Sequence, residues 1–291
     1  MAELNKGLLE AYREKTYNSP PSSRIHTREE AVQFVNQRGF IFFWPINGIS
    51  LPSLWVAAAG NRPVPDDHDD PGHITWDWKD SLLGKGKWYY GRVLARKNCM
   101  ISLEMLPFFY ALSPNYGEPE EDYLEDYRNG TLPLEAKNVY EALLKEGALD
   151  SIALRKAAHL SGTGSESRFN KALEVLQTAF RLVPVGISTN GAWHYSFVYD
   201  LFHRHFQNAI NSSRIITEKT ARVKILKTYL LSVGACQMGE MRKLFHWDTQ
   251  ALQSTIDMLV EEKFVLNYVG MSGEKGSGLC LPNLINTINS Q

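Results

Sequence analysis

The sequence predicts an α+β protein, and two observations carry the prediction. One is an order of elements in the C-terminal part: three helices, then a β-type run, a glycine-rich turn and a short second strand. The other is that this unit occurs twice, and repeats rank before every other reading of a chain. Leu143-Leu144 and Gly147-Ala148 match Leu230-Leu231 and Gly234-Ala235. At the same offset Leu154-Arg155-Lys156 matches Met241-Arg242-Lys243, and His159 matches His246. After a deletion of three residues in the second copy, Val175-Leu176 matches Leu259-Val260, Phe180 matches Phe264 and Val185-Gly186 matches Val269-Gly270. Three helices followed by a hairpin is the winged-helix order, so the fold class is α+β with tandem winged-helix modules.

The N-terminal third opens with a helix from Thr27 to Arg38, where Thr27 and Glu30 have capping-box spacing. Leu51 to Ala59 reads as a short helix opened by Pro52, and Asn61 to Gly72 as a Pro/Asp loop. Trp76 to Leu83 reads as helical. Trp88 to Ala95 and Met100 to Leu103 read as a hairpin turning near Asn98, ahead of a helix at Leu106 to Leu112. In the first repeat Leu134–Glu146 is helix one, Ser151–His159 helix two, and helix three starts near Ser165 with Phe169, Ala172, Leu173 and Leu176 inward. Its hairpin pairs Leu182–Ser188 with Ala192–Val198 across Asn190-Gly191, a dipeptide that tolerates the positive φ angles of a two-residue turn. In the second repeat Thr217-Glu218 starts helix one, with Val223, Leu226, Leu230 and Val233 at helical spacing, and Gly234 ends it. Glu240 to Phe245 is helix two. Asp248 caps helix three, whose core face is Leu252, Ile256, Leu259 and Val260. The expected domains are 1–113, a diverged winged-helix-like region, then winged helices at 114–213 and 214–291.

The chain has 291 residues, 44% of them hydrophobic, which excludes a mainly disordered polypeptide. With 31 Lys and Arg against 32 Asp and Glu it is no globally basic coat protein, but local basic surfaces remain open. The acidic run Glu118, Glu120, Glu121, Asp122, Glu125 and Asp126 reads as a solvated linker or capping turn. Cys99, Cys236 and Cys280 lack Cys-x-x-Cys spacing, which argues against a disulfide scaffold or thiolate zinc site and for a reducing cytosol. Met1 to Lys15 alternates charge around no apolar core, so no signal peptide is expected, and no apolar run is long enough for a bilayer.

Helix three of a winged helix lies in the major groove, with its N-terminal side chains at the base edges. Ser165, Ser167, Arg168 and Lys171 hold that place in the first copy, and Gln250, Gln253 and Ser254 in the second. Arg and Gln pair bidentately with guanine and adenine. Lys275 and Ser277 in the second wing are within reach of phosphates. Arg92, Arg96 and Lys97 interleave with Trp88, Tyr89 and Tyr90; along a strand Arg92 and Arg96 share a face with Trp88 and Tyr90, a surface for phosphates and stacked bases. The competing structural reading is a set of solvated helix faces and a hairpin with one packed and one wet face. Asp66 to His73 brings carboxylates and imidazoles together, but without calcium-loop spacing and with a proline it reads as a solvated loop, and no metal site is assigned.

The stretches Ile74-Thr-Trp-Asp-Trp-Lys79, Trp88-Tyr-Tyr-Gly-Arg-Val93 and Met100-Ile-Ser-Leu-Glu-Met-Leu-Pro107-Phe-Phe-Tyr, with the duplicated modules, resemble the AlkZ/YcaQ-type winged-helix DNA glycosylases, and among them the shorter AlkZ-related set. The resemblance covers most of the chain. It implies tandem winged helices around a channel for damaged DNA, excision of alkylated or crosslinked purines, and neither metal nor cofactor. It also implies a catalytic Gln-x-Gln or Gln-x-Asp just before a segment like Ile-Asn-Val. Here the corresponding stretch is Phe42-Phe43-Trp44-Pro45-Ile46-Asn47, so Phe42 and Trp44 stand where the polar pair belongs. Neither can orient water or stabilise a cationic sugar. No catalytic residue carries over, although these rings suit stacking on an unpaired base, with burial in the core as the bland reading.

The function expected is DNA binding, to duplex that is damaged or distorted, without the family's catalytic motif. Two other classes stay open. One is an active glycosylase with an unidentified catalytic residue, for which Asp77 and Asp80 are the nearest carboxylates. The other is a non-enzymatic regulatory or protein-docking module. The expected partner is DNA and not a membrane, and the expected compartment is the cytoplasm.

Overall fold

The computed structural model describes residues 2–67, 69–115, 117–190, 194–269 and 277–285. The backbone divides into two units, Met1–Thr75 with Glu218–Gln291, and Trp76–Thr217.

Strand β1 (Ala2–Glu3) is followed by helix α1 (Lys6–Tyr17), which Asn5 caps by accepting from the Leu8 N–H at 3.0 Å. The capping box of Thr27 and Glu30 opens α2 (Arg28–Arg38), as the spacing predicts. Strand β2 (Phe40–Phe42) leads to α3 (Leu54–Ala59), capped by Ser53 with Pro52 left outside. Helix α4 (Ile74–Leu82) crosses the division.

In the second unit β3 (Tyr89–Gly91) and β4 (Cys99–Ile101) pair antiparallel, with Tyr90 opposite Met100. The strand is shorter than the residue types suggest. A 3-10 turn at Leu94–Arg96 interrupts it, with Ala95 and Arg96 in the left-handed region at φ 48° and 56°. Short α5 (Leu106–Tyr110) precedes α6 (Asp122–Arg128). The acidic run divides: Glu118, Glu120 and Glu121 are exposed in the turn that leads into α6, as a capping turn would be, and Asp122, Glu125 and Asp126 lie in the helix. Asp122 is buried and accepts from the Gly117 N–H at 3.1 Å, while Tyr123 packs on Tyr140 with ring centroids 4.8 Å apart.

The first module then follows: α7 (Leu134–Glu146), β5 (Leu149–Asp150), α8 (Ser151–Ala157), α9 (Glu166–Thr178), β6 (Leu182–Ser188) and β7 (Ser196–Leu201). Its antiparallel sheet has the order β5-β7-β6. Val139, Leu143, Leu154, Leu176 and Leu201 are fully buried between the helices and the sheet. The described pairing ends with Ser188 opposite Ser196, and Gly191, with which Asn190 was expected to form the turn, lies outside the described residues. The Asn190 side-chain amide donates to Asp150 at 2.8 Å. Helices α10 (Phe202–His205) and α11 (Gln207–Ser213) close the unit.

The first unit resumes with the second module: α12 (Glu218–Val233), β8 (Ala235–Gln237), α13 (Met238–Phe245), α14 (Thr249–Glu261), β9 (Leu266–Val269) and β10 (Ser277–Cys280). The sheet order β8-β10-β9 repeats that of the first module, with β1 added in parallel outside β9. Asp248 caps α14 by accepting from the Gln250 and Ala251 N–H groups.

Helix, strand, helix, helix and two further strands, with the first strand beside the third, is the winged-helix arrangement, and the chain contains it twice. Its α+β class with tandem modules is therefore as the sequence predicts. The repeat is real in backbone detail: the matched His159 and His246 both end helix two in the left-handed region, at φ 57° and 53°. In helix three the match shifts by one residue. The buried positions Phe169, Ala172, Leu173 and Leu176 correspond to Leu252, Thr255, Ile256 and Leu259, so Leu176 aligns with Leu259 and not with Val260. The deletion is one residue longer than the sequence match implies, and it falls in the turn between helices two and three. Among the described residues no helix is long and apolar enough to cross a membrane.

Candidate nucleic-acid interface

Helix α9 is amphipathic, with its apolar stripe in the module core and its polar side outward. Arg168 and Lys171 lie on that outer side with side chains 61% and 56% exposed. Arg168 reaches Glu135 at 3.4 Å, and Lys171 pairs with Glu174 at 2.5 Å. The 3-10 turn at Leu94–Arg96 packs against the same helix. It places the Arg96 guanidinium 3.9 Å from Glu174. Thr178 ties the two segments together, donating from its hydroxyl to the Arg92 carbonyl at 3.1 Å, while the Arg92 side chain donates to Asn98 at 3.4 Å.

The hydrogen bond from Lys171, reinforced by the charges of Lys171, Arg96 and Arg92, holds the Glu174 carboxyl below its usual range. One carboxylate therefore sits among three cations brought from two separated stretches of sequence. Lys97 follows the turn and is exposed. The structure thus gathers Arg92, Arg96, Lys97 and Lys171 beside one helix, by a route that differs from the expected one. They do not share a strand face with Trp88 and Tyr90, which are buried at 3% and 4% exposure. The turn after Gly91 rolls the arginines out of the strand.

Ser165 leaves the set. It is 1% exposed at the head of α9, with its hydroxyl against the Leu160 and Gly162 carbonyls and accepting from Arg155 at 3.3 Å. That geometry closes the turn between helices two and three and offers nothing to a base. On α14 Gln250 and Gln253 are exposed, and the Gln253 amide donates to Asp257 at 2.8 Å. Lys275 lies outside the described residues. Glu174 is the residue that sequence reasoning missed, and the signal was its spacing three residues beyond Lys171.

The two carboxylates near the familiar tryptophan stretch part company. Asp77 is exposed on α4. Asp80 pairs with Lys79 at 2.8 Å and accepts from the Tyr195 hydroxyl at 3.0 Å. Lys79 is buried among Trp76, Tyr90, Tyr195 and Phe197, its ammonium 4.8 Å from the Phe197 ring centroid, and desolvation lowers its pKa. In the loop before α4, Asp70 is engaged by Arg62 through two hydrogen bonds, at 2.9 and 2.5 Å, and caps the turn at Gly72.

A family model described as AlkZ related matches residues 25–246. The chain belongs to the AlkZ-related family. Among solved structures it is similar to the Streptomyces sahachiroi DNA glycosylase AlkZ, with a TM-score of 0.56 and 13% identity over 97% of this chain and 71% of that one. At that identity the likeness speaks for the fold. A search of curated proteins gave no match.

Within this AlkZ-related chain the stretch Phe42–Trp44, which the sequence resemblance sets where the family's catalytic motif belongs, packs into hydrophobic surroundings. Phe42 and Phe43 are 0% and 2% exposed. The Phe42 N–H donates to the Pro52 carbonyl at 2.9 Å and the Phe43 carbonyl accepts from Trp55 at 3.1 Å, which fixes both rings inward. Trp44 is half-buried, packs on Phe43 at 5.1 Å and joins the cluster of Trp55, Val56 and Ala59. Stacking of a base on Phe42 or Phe43 is therefore excluded as they stand.

Proposed function

We propose that this AlkZ-related protein binds duplex DNA through its winged-helix modules, and that phosphate contacts supply most of the affinity. The observation that carries the reading is the cluster of Arg92, Arg96 and Lys171 around a single carboxylate on the outer side of α9. A winged helix presents helix three to the groove, and exposed cations flanking it are placed for the backbone on either side. Gln250 and Gln253 hold the corresponding place on α14, and the modules at 114–213 and 214–291 act as separate grips on the duplex. Damaged or distorted duplex is the preferred substrate in this reading, in keeping with the name of the similar glycosylase and with the family to which the chain belongs.

The reading assigns no catalysis to the Phe42–Trp44 segment, because buried phenyl rings cannot activate water. Fluorescence anisotropy with a labelled duplex at a series of salt concentrations tests it. Wild-type protein binds with a steep negative salt dependence, and Arg92→Glu combined with Arg96→Glu and Lys97→Glu abolishes it. Unchanged binding by that variant refutes the surface. No binding at low salt refutes the reading as a whole and leaves the protein-docking class. Release of base from alkylated duplex would instead establish the active glycosylase, with Asp80 as the first carboxylate to replace.

A further inference from the structure

The second helix of each module ends in a pair of side chains that packing does not require. Lys156 and Lys243 lie in the last turns of α8 and α13, and His159 and His246 follow at the ends of those helices. In each copy lysine and histidine are three residues apart, a spacing that puts two side chains on one side of a helix. All four residues are exposed. The matched Leu154 and Met241 are fully buried, so the core accounts for their likeness. It does not account for the lysines or the imidazoles.

Four comparisons sharpen this. On helix three the exposed positions have diverged: Ser167, Asn170 and Lys171 stand against Gln250, Gln253 and Ser254. The neighbouring Arg155 has an internal task, donating to the Leu160 carbonyl and the Ser165 hydroxyl, both at 3.3 Å. The helix dipole favours a cation in the last turn, but Arg155 and Arg242 already supply one, and the dipole does not call for a second with an imidazole behind it. At positive φ glycine is the least strained residue, and both copies use it to end helix one, Gly147 at φ 82° and Gly234 at φ 75°. Both copies nevertheless carry histidine at the end of helix two. Lastly, Lys156 and Lys243 make no ion pair among the described residues, whereas Arg168 and Lys171 on α9 each face a carboxylate. A lysine without an internal partner meets a phosphate without first giving up an ion pair.

We propose that the end of helix two is a sequence-neutral phosphate grip present in both modules, made by Lys156 and His159 in the first and by Lys243 and His246 in the second. In a helix-turn-helix the helix ahead of the recognition helix crosses the sugar–phosphate backbone. The end of helix two is the part of it next to the turn into helix three, and in the first module Arg155 ties that end to Ser165 at the head of α9. The lysine supplies charge and the imidazole N–H a hydrogen bond to a phosphate oxygen. Base-edge residues on helix three are then free to differ between the modules while the grip stays the same. The inference deepens the duplex-binding reading and rests on it.

Fluorescence anisotropy of two labelled duplexes of unrelated sequence, followed over a salt series with full-length protein, tests the grip. Lys156→Gln and Lys243→Gln are each expected to weaken both duplexes several-fold and equally, and to lower the salt slope by about one; the double variant lowers it by about two. His159→Gly and His246→Gly give the backbone the residue it favours, so a purely capping role leaves affinity unchanged at equal or higher thermal stability. The grip instead requires a several-fold loss of affinity while circular dichroism melts show no loss of stability, and unchanged affinity overturns the part assigned to the imidazoles. Lys145→Gln, on α7 with a side chain 83% exposed, is the charge control and should change little. A loss there equal to that of Lys156→Gln reduces the effect to net charge and overturns the grip. Loss from one module alone overturns its duplication. Lysine variants that bind as wild type does overturn the grip and leave the surface on α9 standing, whereas a wild type that binds no duplex at low salt refutes the duplex reading and the grip with it.

Discussion

At the scale of single residues, Phe42 and Ser165 separate the two kinds of position that a motif comparison confuses. The sequence resemblance sets Phe42 where a family motif calls for a polar side chain, but it is fully buried and its backbone is bonded into the segment before α3. Restoring glutamine there therefore does not restore chemistry. Phe42→Gln strands an amide in an apolar site and removes ring contacts, at a cost of about 2–5 kcal/mol. The expected outcome is a large fall in the urea midpoint with no gain of base release from alkylated duplex. Ser165 stands where winged helices meet DNA, but its hydroxyl holds the turn to the Leu160 and Gly162 carbonyls. Ser165→Ala should destabilise by about 1 kcal/mol in urea titration and leave duplex affinity unchanged. A drop in affinity at constant stability would return Ser165 to the interface.

At the scale of elements, the basic surface is a property of α9 with the turn at Leu94–Arg96, and its prediction concerns the one negative charge in it. Glu174→Gln should tighten duplex binding at low salt several-fold, because Lys171 and Arg96 lose their competitor for phosphate; Lys171→Glu should weaken it and lower the salt slope by about one. Equal affinities for all three proteins would place the duplex elsewhere. This surface was half legible in the sequence. The residues of α9 announced themselves because four apolar positions at helical spacing, Phe169, Ala172, Leu173 and Leu176, fix which side is outward. The meeting of Arg96 with Glu174 did not, since it depends on Ala95 and Arg96 adopting left-handed φ values that neither residue type signals. Module order was legible for the same reason as α9: periodic faces, the Asp248 cap and the glycines after helix one are local features. Helix α1 was not, because it buries little apolar surface of its own. Instead Tyr12 donates to the Leu231 carbonyl at 2.6 Å, Arg13 to those of Val233 and Ala235, and Thr16 to that of Ser232, all more than two hundred residues away. Such bonds leave no periodic trace.

At the scale of the whole molecule, stability should depend on pH and on where the chain is cut. Burial raises the pKa of Asp200, but hydrogen bonds from His205, the Leu201 N–H and Arg204 outweigh it and hold the carboxyl below the usual carboxylate range. A depressed carboxyl gives stability that is fully present above the unfolded pKa and is lost as the pH falls through the folded value. Wild type should therefore lose urea resistance below about pH 4, and Asp200→Asn should show a shallower acid decline. An identical acid limb in both proteins would remove Asp200 from the account. The second consequence follows from chain threading. The unit Trp76–Thr217 is continuous in sequence, holds the whole first module and has its own core around Val139, Leu143 and Leu176. The other unit is assembled from both ends of the chain, and α1 is pinned to the carbonyls at the end of α12 and in β8. A fragment of residues 76–217 should accordingly give a cooperative thermal transition, whereas residues 1–113 should not, because they lack the segment that receives Tyr12, Arg13 and Thr16. Circular dichroism melts of the two fragments decide it. A cooperative transition in 1–113 would show that the N-terminal third is a domain in its own right, and the repeat would then be three modules in series instead of one module enclosed between the halves of a discontinuous unit.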